Sequence, residues 1–238
     1  MYRRVILKLS GETLAPAEAQ AGQPAAYCPA RIDRAAEAII ALSDMGVEVG
    51  VIMGGGNIWR GRFTSDMDAV NADQMGMLAT VMNALAVADA INRKNRKAVV
   101  FTAQDMPRFC ELYRADKASA ALDTGAIVLL AGGSGNPFFT TDTAAALRAA
   151  ELHADAVFKG TTVEGLYDSD PRKNPDAKLI RDMSYEEALA RGIKVMDAAA
   201  FQICLAQKVP EIRIFSMDDL ENILKAARGE EIGSKVHA

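Results

Sequence analysis

The feature that most constrains this chain is an apolar run, residues 126–130, that leads through a glycine-rich turn into a helical pattern. The turn reads Gly132-Gly133-Ser134-Gly135-Asn136-Pro137-Phe138-Phe139-Thr140-Thr141-Asp142, and Leu147, Ala150 and Leu152 recur among alanines after it. The apolar run reads as a buried strand. Strand, glycine turn and helix together put backbone N–H groups and a helix N-terminus at the mouth of a parallel sheet. Thr140 or Thr141 can cap that helix. Two phenylalanines on the loop suit a segment that folds over something flat or packs under a lid. Alone, the stretch reads equally as a turn or as a site.

The layout recurs. Residues 5–9 form a strand ending in Ser10-Gly11-Glu12. A lysine inside such a strand is costly unless it points into a cleft. Lys8 is thus either a solvated residue on an edge strand or a phosphate-facing lysine beside a Ser-Gly turn. Residues 47–53 form a second strand that runs into Gly54-Gly55-Gly56-Asn57-Ile58-Trp59-Arg60-Gly61-Arg62. Three adjacent glycines let a backbone pass close to a ligand, and Arg60 and Arg62 carry forked donors suited to phosphate. A plain tight turn is the alternative. The run matches neither GxGxxG nor the GxxxxGK[ST] pattern of P-loops. A strand at 154–158 ends in Lys159-Gly160-Thr161, repeating the arrangement at Lys8.

Other segments fill in an α/β alternation. Ile32 to Ile40 recur at helical spacing until Gly46 stops them. A long helix opens at Asp73, with Met75, Leu78, Ala79, Met82, Leu85 and Ala86 as its buried stripe. Asp73 at its start could simply be a cap. Strands follow at 97–101 and 212–215, a hairpin-like turn region at 163–171, and helices near 184–191 and from Asp197. Ser216 and Asp219 are spaced like a capping box for a last helix ending at Gly229. Alternating strands and helices predict an α/β, three-layer αβα sandwich around a mostly parallel central sheet.

Composition narrows the chemistry. The net charge of −4 gives no reason to expect nucleic-acid binding. Three scattered cysteines suggest no disulfide framework and suit a reducing cytoplasm. With only His153 and His237, a zinc site or a histidine-based triad is a poor fit. No apolar run approaches membrane-spanning length. Two lysines, two glycine-rich turns and several turn aspartates favour phosphate handling, where positioning and positive charge do most of the work.

The segments Lys8-Leu-Ser-Gly-Glu12, Gly54 to Gly61, Asp73 to Asn83, Gly135 to Asp142 and Lys194-Val-Met-Asp197 resemble the bacterial uridylate (UMP) kinases of the amino acid kinase family. The resemblance covers about residues 3–228. It implies the amino acid kinase fold in a single domain over 1–238, with a variable loop at 15–30 and a loose tail at 230–238. It also implies transfer of the ATP γ-phosphoryl group to UMP, with Mg²⁺ carried by ATP and no direct protein ligand. The partners it implies are ATP and UMP, in an allosteric cytoplasmic homohexamer with no nucleic-acid or membrane partner.

By matching position, Lys8, Leu9, Ser10 and Gly11 would lie along ATP. Gly56 and Arg60 would hold ATP, and Gly55 UMP, where the phosphates meet. Asp73 would bind the UMP ribose. Ser134, Gly135, Asn136, Pro137, Phe138, Phe139, Thr140 and Thr141 would wrap the uracil and phosphate. Thr161, Tyr167 and Asp170 would line the ATP base and ribose pocket. Lys8 and Lys159 would stabilise the moving group, and Asp142 and Asp197 would organise those lysines and the metal. A sister kinase for carbamate, glutamate or aspartate would share the lysines but have no need of Phe138-Phe139.

The sequence departs from the pattern twice. Residues 19–33 lack the family's Gly-Phe-Gly, which puts activation by GTP in doubt. Gly233-Ser-Lys-Val236 replaces the usual Gly-Thr-Leu/Ile strand, which suggests a looser last edge.

Overall fold

A computed structural model describes residues 2–16, 27–60, 67–169 and 171–238. The first strand, β1 (Arg4–Leu9), turns through a short 3-10 segment, Gly11–Leu14, into α1 (Pro29–Asp44) and β2 (Glu48–Met53). Then come α2 (Ala69–Arg93), β3 (Ala98–Thr102), β4 (Glu111–Leu112), α3 (Ala115–Asp123) and β5 (Ile127–Ala131). They are followed by α4 (Thr141–Glu151), β6 (Ala156–Thr161), β7 (Leu166–Tyr167), β8 (Leu179–Ile180) and β9 (Asp182–Ser184). The chain continues with α5 (Tyr185–Ala190), α6 (Ala198–Ala206), β10 (Glu211–Ser216), α7 (Glu221–Ala227) and β11 (Ser234–His237).

Among the described residues nine strands form one sheet, in the order β4-β3-β5-β2-β1-β6-β10-β11-β9. Pairing is parallel throughout except between β10 and β11. β1 lies between β2 and β6, so it is central and the edge-strand reading of Lys8 fails. The chain first builds the sheet on one side of β1 and then returns to build the other. Such a reversal opens a crevice at the carboxyl ends of the strands, where α/β folds bind ligands.

Side chains alternate across β1. Val5, Leu7 and Leu9 join a core with residues of α1, α2 and α7. Ile6 faces the opposite core, with residues of α3, α4, α5 and α6. The αβα layering predicted from the sequence is therefore the one observed.

Several local expectations need correction. α2 begins at Ala69, capped by Asp68, whose carboxylate accepts from Val70 N and Asn71 N. Asp73 therefore lies a turn inside the helix and is no cap. Met75, Leu78 and Met82 are exposed, while Ala72, Ala79, Val81, Ala84 and Val87 are buried. The helix is apolar nearly all round, so periodicity could not choose its inner face. By length and composition α2 could also cross a membrane, contrary to the expectation above, but half of its most apolar stretch is buried, as in a core helix.

The capping box at Ser216 and Asp219 does not form: Ser216 Oγ accepts from Asp218 N and Asp219 Oδ1 from Glu221 N. The tail is not loose, because β11 is hydrogen-bonded to β10 on one side and β9 on the other. Leu166–Tyr167 pairs with Leu179–Ile180, so the hairpin spans a wider loop than the turn region suggested.

Candidate active site

Strand pairing brings the two lysines together. Lys8 and Lys159 are register partners on β1 and β6. Ile6 and Val157 belong to the core on the α4 side. Lys8 and Lys159, two residues further along, therefore face α4 as well. Lys159 lies within β6 rather than beyond its end.

Asp142, in the first turn of α4, sends its carboxylate between them. Oδ1 lies 3.0 Å from Lys8 Nζ, an ion pair not aligned as a hydrogen bond. Oδ2 pairs with Lys159 Nζ, which also donates to the Val195 carbonyl. All three side chains are at most 13% exposed. Burial works to raise the Asp142 pKa, but the two ammoniums outweigh it and hold the carboxyl below the usual range. Burial draws the Lys159 ammonium below the usual lysine value, with Asp142 opposing and Lys8 adding to the fall. Two cations share the one carboxylate that ion-pairs with them, with Asp197 adding a weaker pull on Lys159, and two ammoniums side by side suit an anionic group.

α4 is set by a cap. Thr140 accepts from Asp142 N and donates to Asp197, which also accepts from Thr143 Oγ1 at 3.1 Å. Asp197, the N-cap residue of α6, thus ties two helix starts together. Its hydrogen-bond partners are threonines, and its negative charge also acts on Lys159, helping to keep that ammonium charged.

The glycine turns lie around this cluster. A Cβ on Gly55 would meet Gly76 O at 2.8 Å and Ala79 Cβ at 2.9 Å, so α2 lies directly on the turn. Gly132, at φ +77°, donates its N–H to Thr80 Oγ1 at 2.9 Å. Phe138 has φ +72°, and its N–H donates to Asp73 Oδ2 at 2.7 Å. α2 therefore holds both the turn after β5 and the loop that follows.

A sequence model of the amino acid kinase family matches residues 3–216. This chain belongs to the amino acid kinase family. Among similar proteins, the uridylate kinase of Pseudoalteromonas atlantica is 44% identical over 237 residues, which cover 99% of this chain and 94% of that protein. The uridylate kinase of Bacteroides thetaiotaomicron is 44% identical over 238 residues, covering 99% of this chain and 98% of that one. The crystal structure of UMP kinase from Bacillus anthracis superposes with a TM-score of 0.92 at 33% identity, covering 99% of this chain and 96% of that one.

In this amino acid kinase, most of the residues singled out in the sequence meet at one end of the sheet. Ser10 caps the turn at Gly11 through Glu12 N. Leu9 is fully buried, and its carbonyl accepts from Gly54 N. Arg60 donates to Gly56 O and pairs with Glu12. Ser134, Gly135, Asn136, Pro137, Phe138 and Phe139 form the loop before Thr140 and Thr141, with both phenylalanines exposed. Thr161 closes β6 beside Ser216. Tyr167 lies on the separate β7–β8 ladder, apart from the nine-stranded sheet. Gly61, Arg62, Asp170 and most of the 15–30 loop fall outside the described residues.

Sequence reasoning missed Asn57, Thr80, Asn83 and Thr143 as organisers of the site. For Asn83 a signal was present: a polar residue among Val81, Ala84 and Val87 on a helix. A buried amide must find partners.

Proposed function

We propose that this amino acid kinase transfers the γ-phosphoryl group of ATP to UMP, giving UDP and ADP in pyrimidine nucleotide biosynthesis. The observation that carries the reading is the buried Lys8–Asp142–Lys159 cluster at the mouth of the sheet. An oxygen of the UMP phosphate attacks the γ-phosphorus, and the bond to the β–γ bridging oxygen breaks as ADP leaves. Negative charge spreads over the equatorial oxygens of the moving group. Lys8 and Lys159 offset that charge in a site poor in water, and Asp142 fixes their aim.

Acceptor and donor fall on either side of this cluster. On our reading Ser134 to Thr141 wraps UMP with Gly55, and Asp73 holds the ribose. The positive end of the α4 dipole favours the UMP phosphate beside Thr141. Leu9, Ser10, Gly11, Gly56 and Arg60 lie along ATP, whose base and ribose reach Thr161, Tyr167 and Asp170. The uridylate kinases among the relatives support UMP over an amino-acid acceptor.

Mg²⁺ fits this chemistry as part of the ATP complex. Among the described residues no group of three or more His, Cys, Asp or Glu side chains could cage a metal. Asp142 is engaged by lysines and Asp197 by threonines. This donor set suits an ion held by phosphate oxygens and water, where it would neutralise phosphate charge. We also propose a cytoplasmic homohexamer, supported by three free cysteines and by the exposed Met75, Leu78 and Met82. Without the Gly-Phe-Gly, GTP should activate weakly or not at all, which a GTP titration at subsaturating ATP reads directly.

The test is ADP release from ATP with UMP, CMP, AMP, glutamate or carbamate as acceptor. UMP should support by far the highest rate. Turnover with glutamate or carbamate instead would replace this reading by that of a sister kinase.

A further inference from the structure

Two asparagines join the turns after β1 and β2. Asn83 on α2 is 0% exposed, and Asn57, in the turn after β2, is 5% exposed. Asn83 Nδ2 donates to Gly54 O at 2.6 Å and to Asn57 Oδ1 at 2.7 Å. Asn57 Nδ2 donates back to Asn83 Oδ1 at 3.2 Å. The orientation of both amides is fixed by logic. Gly54 O can only accept, so the Asn83 atom facing it must be the nitrogen. Both Asn83 N–H donors are then used, its oxygen must accept, and Asn57 must turn its nitrogen toward it.

The turn after β1 rests on this pair. A Cβ on Gly11 would collide with Asn57 Oδ1, lie 2.5 Å from Gly54 O and lie 3.0 Å from Asn83 Nδ2. Gly54 N in turn donates to Leu9 O at 2.8 Å. The amide pair, the Ser10–Gly11 turn and the Gly54–Gly56 turn therefore touch at one point, so moving either amide moves both turns.

We propose that the Asn57–Asn83 pair is a positioning device that sets the spacing between the two turns, and so the alignment of donor and acceptor phosphates. The inference rests on the function proposed above, which puts Gly11 along ATP and Gly55 and Gly56 where the phosphates meet. Neither asparagine touches substrate on this account. Their effect is on alignment, which governs the rate of transfer far more than ground-state affinity. A displacement of about 1 Å at a reacting centre can cost on the order of 10²-fold in rate.

Asn83→Asp keeps the size and the acceptor toward Asn57 but sets a carboxylate oxygen against Gly54 O. Asn57→Ala removes one amide and leaves the Asn83–Gly54 bond. Steady-state kinetics with ATP and UMP should show kcat lowered roughly 10- to 100-fold in both variants, with KM for each substrate within about threefold of wild type. The double variant Asn57→Ala/Asn83→Ala should be little worse than the worse single variant, because the pair acts as one unit. Asn57→Ala is the variant best placed to keep the fold, and a melting curve checks it. Folded Asn57→Ala with wild-type kcat overturns the proposal, as does a rise in KM with kcat preserved. A wild-type protein inactive on UMP in the same assay overturns the function itself, and this inference with it. An active wild type beside unaffected variants overturns the positioning role alone.

Discussion

Lys8 and Lys159 are register partners on adjacent parallel strands, so the pairing of β1 with β6 itself sets two ammonium groups side by side. Two buried like charges at that spacing repel, and Asp142 lies between them. The fold therefore holds a concentration of positive charge that one carboxylate keeps in place.

Removing that carboxylate should destabilise the protein. Asp142→Asn leaves two buried cations without the carboxylate that ion-pairs with both, and breaking a buried pair this way costs about 3–5 kcal/mol. The Asp142 pKa in the folded protein lies below its unfolded value. Its contribution is then complete above roughly pH 4 and fades as pH falls through the lower folded value. Urea melts of both proteins from pH 7 to pH 3 should show a wide stability gap that narrows in acid. A gap independent of pH would contradict this electrostatic account.

Asp73 makes a different prediction. Asp68 caps α2, and the Asp73 carboxylate accepts from Phe138 N instead. Asp73→Asn should leave the melting temperature near wild type. A group that holds substrate and transition state equally affects KM alone. KM for UMP should rise roughly tenfold, the worth of one weakened charged hydrogen bond, while kcat mostly survives. Loss of stability without a change in KM would show that Asp73 serves the fold through its bond to Phe138 N, and not the substrate.

Base selectivity should be steep. A site that hydrogen-bonds one base edge leaves buried groups unpaired when donors and acceptors are exchanged. UMP should be used far better than CMP. Comparable kcat/KM for the two would show that the loop at 134–141 does not read the base edge.

The outer face of α2 should govern assembly. Met82 is 50% exposed and shares a helix face with Met75 and Leu78. Met82→Glu should leave the subunit folded, because the residue packs little within it, yet shift the protein to smaller species in analytical ultracentrifugation. An unchanged sedimentation profile would exclude this face as an interface.

The framework was legible because its signals are local. Apolar runs into glycine turns marked β1, β2 and β5, and the lysines stood out as costly charges in such runs. Lys159 and Lys8 are neighbours only through strand order, which spacing does not encode, so the sequence read alone left Lys8 on a possible edge. Strands of two to four residues, such as β4 and β11, are too short to show periodicity, and pairing alone defines them. The inner face of α2 was misjudged because both faces are apolar. The Asn57–Asn83 pair escaped because its meaning lies in a contact across 26 residues.

The central claim is that phosphoryl transfer occurs where β1 and β6 end, between Lys8 and Lys159. Steady-state kinetics of Lys8→Ala and Lys159→Ala with ATP and UMP tests it most directly. Losing one preorganised cation should lower kcat roughly 10²–10³-fold, with KM for UMP little changed. Folded variants that keep near wild-type kcat would contradict the account and move the reaction centre elsewhere.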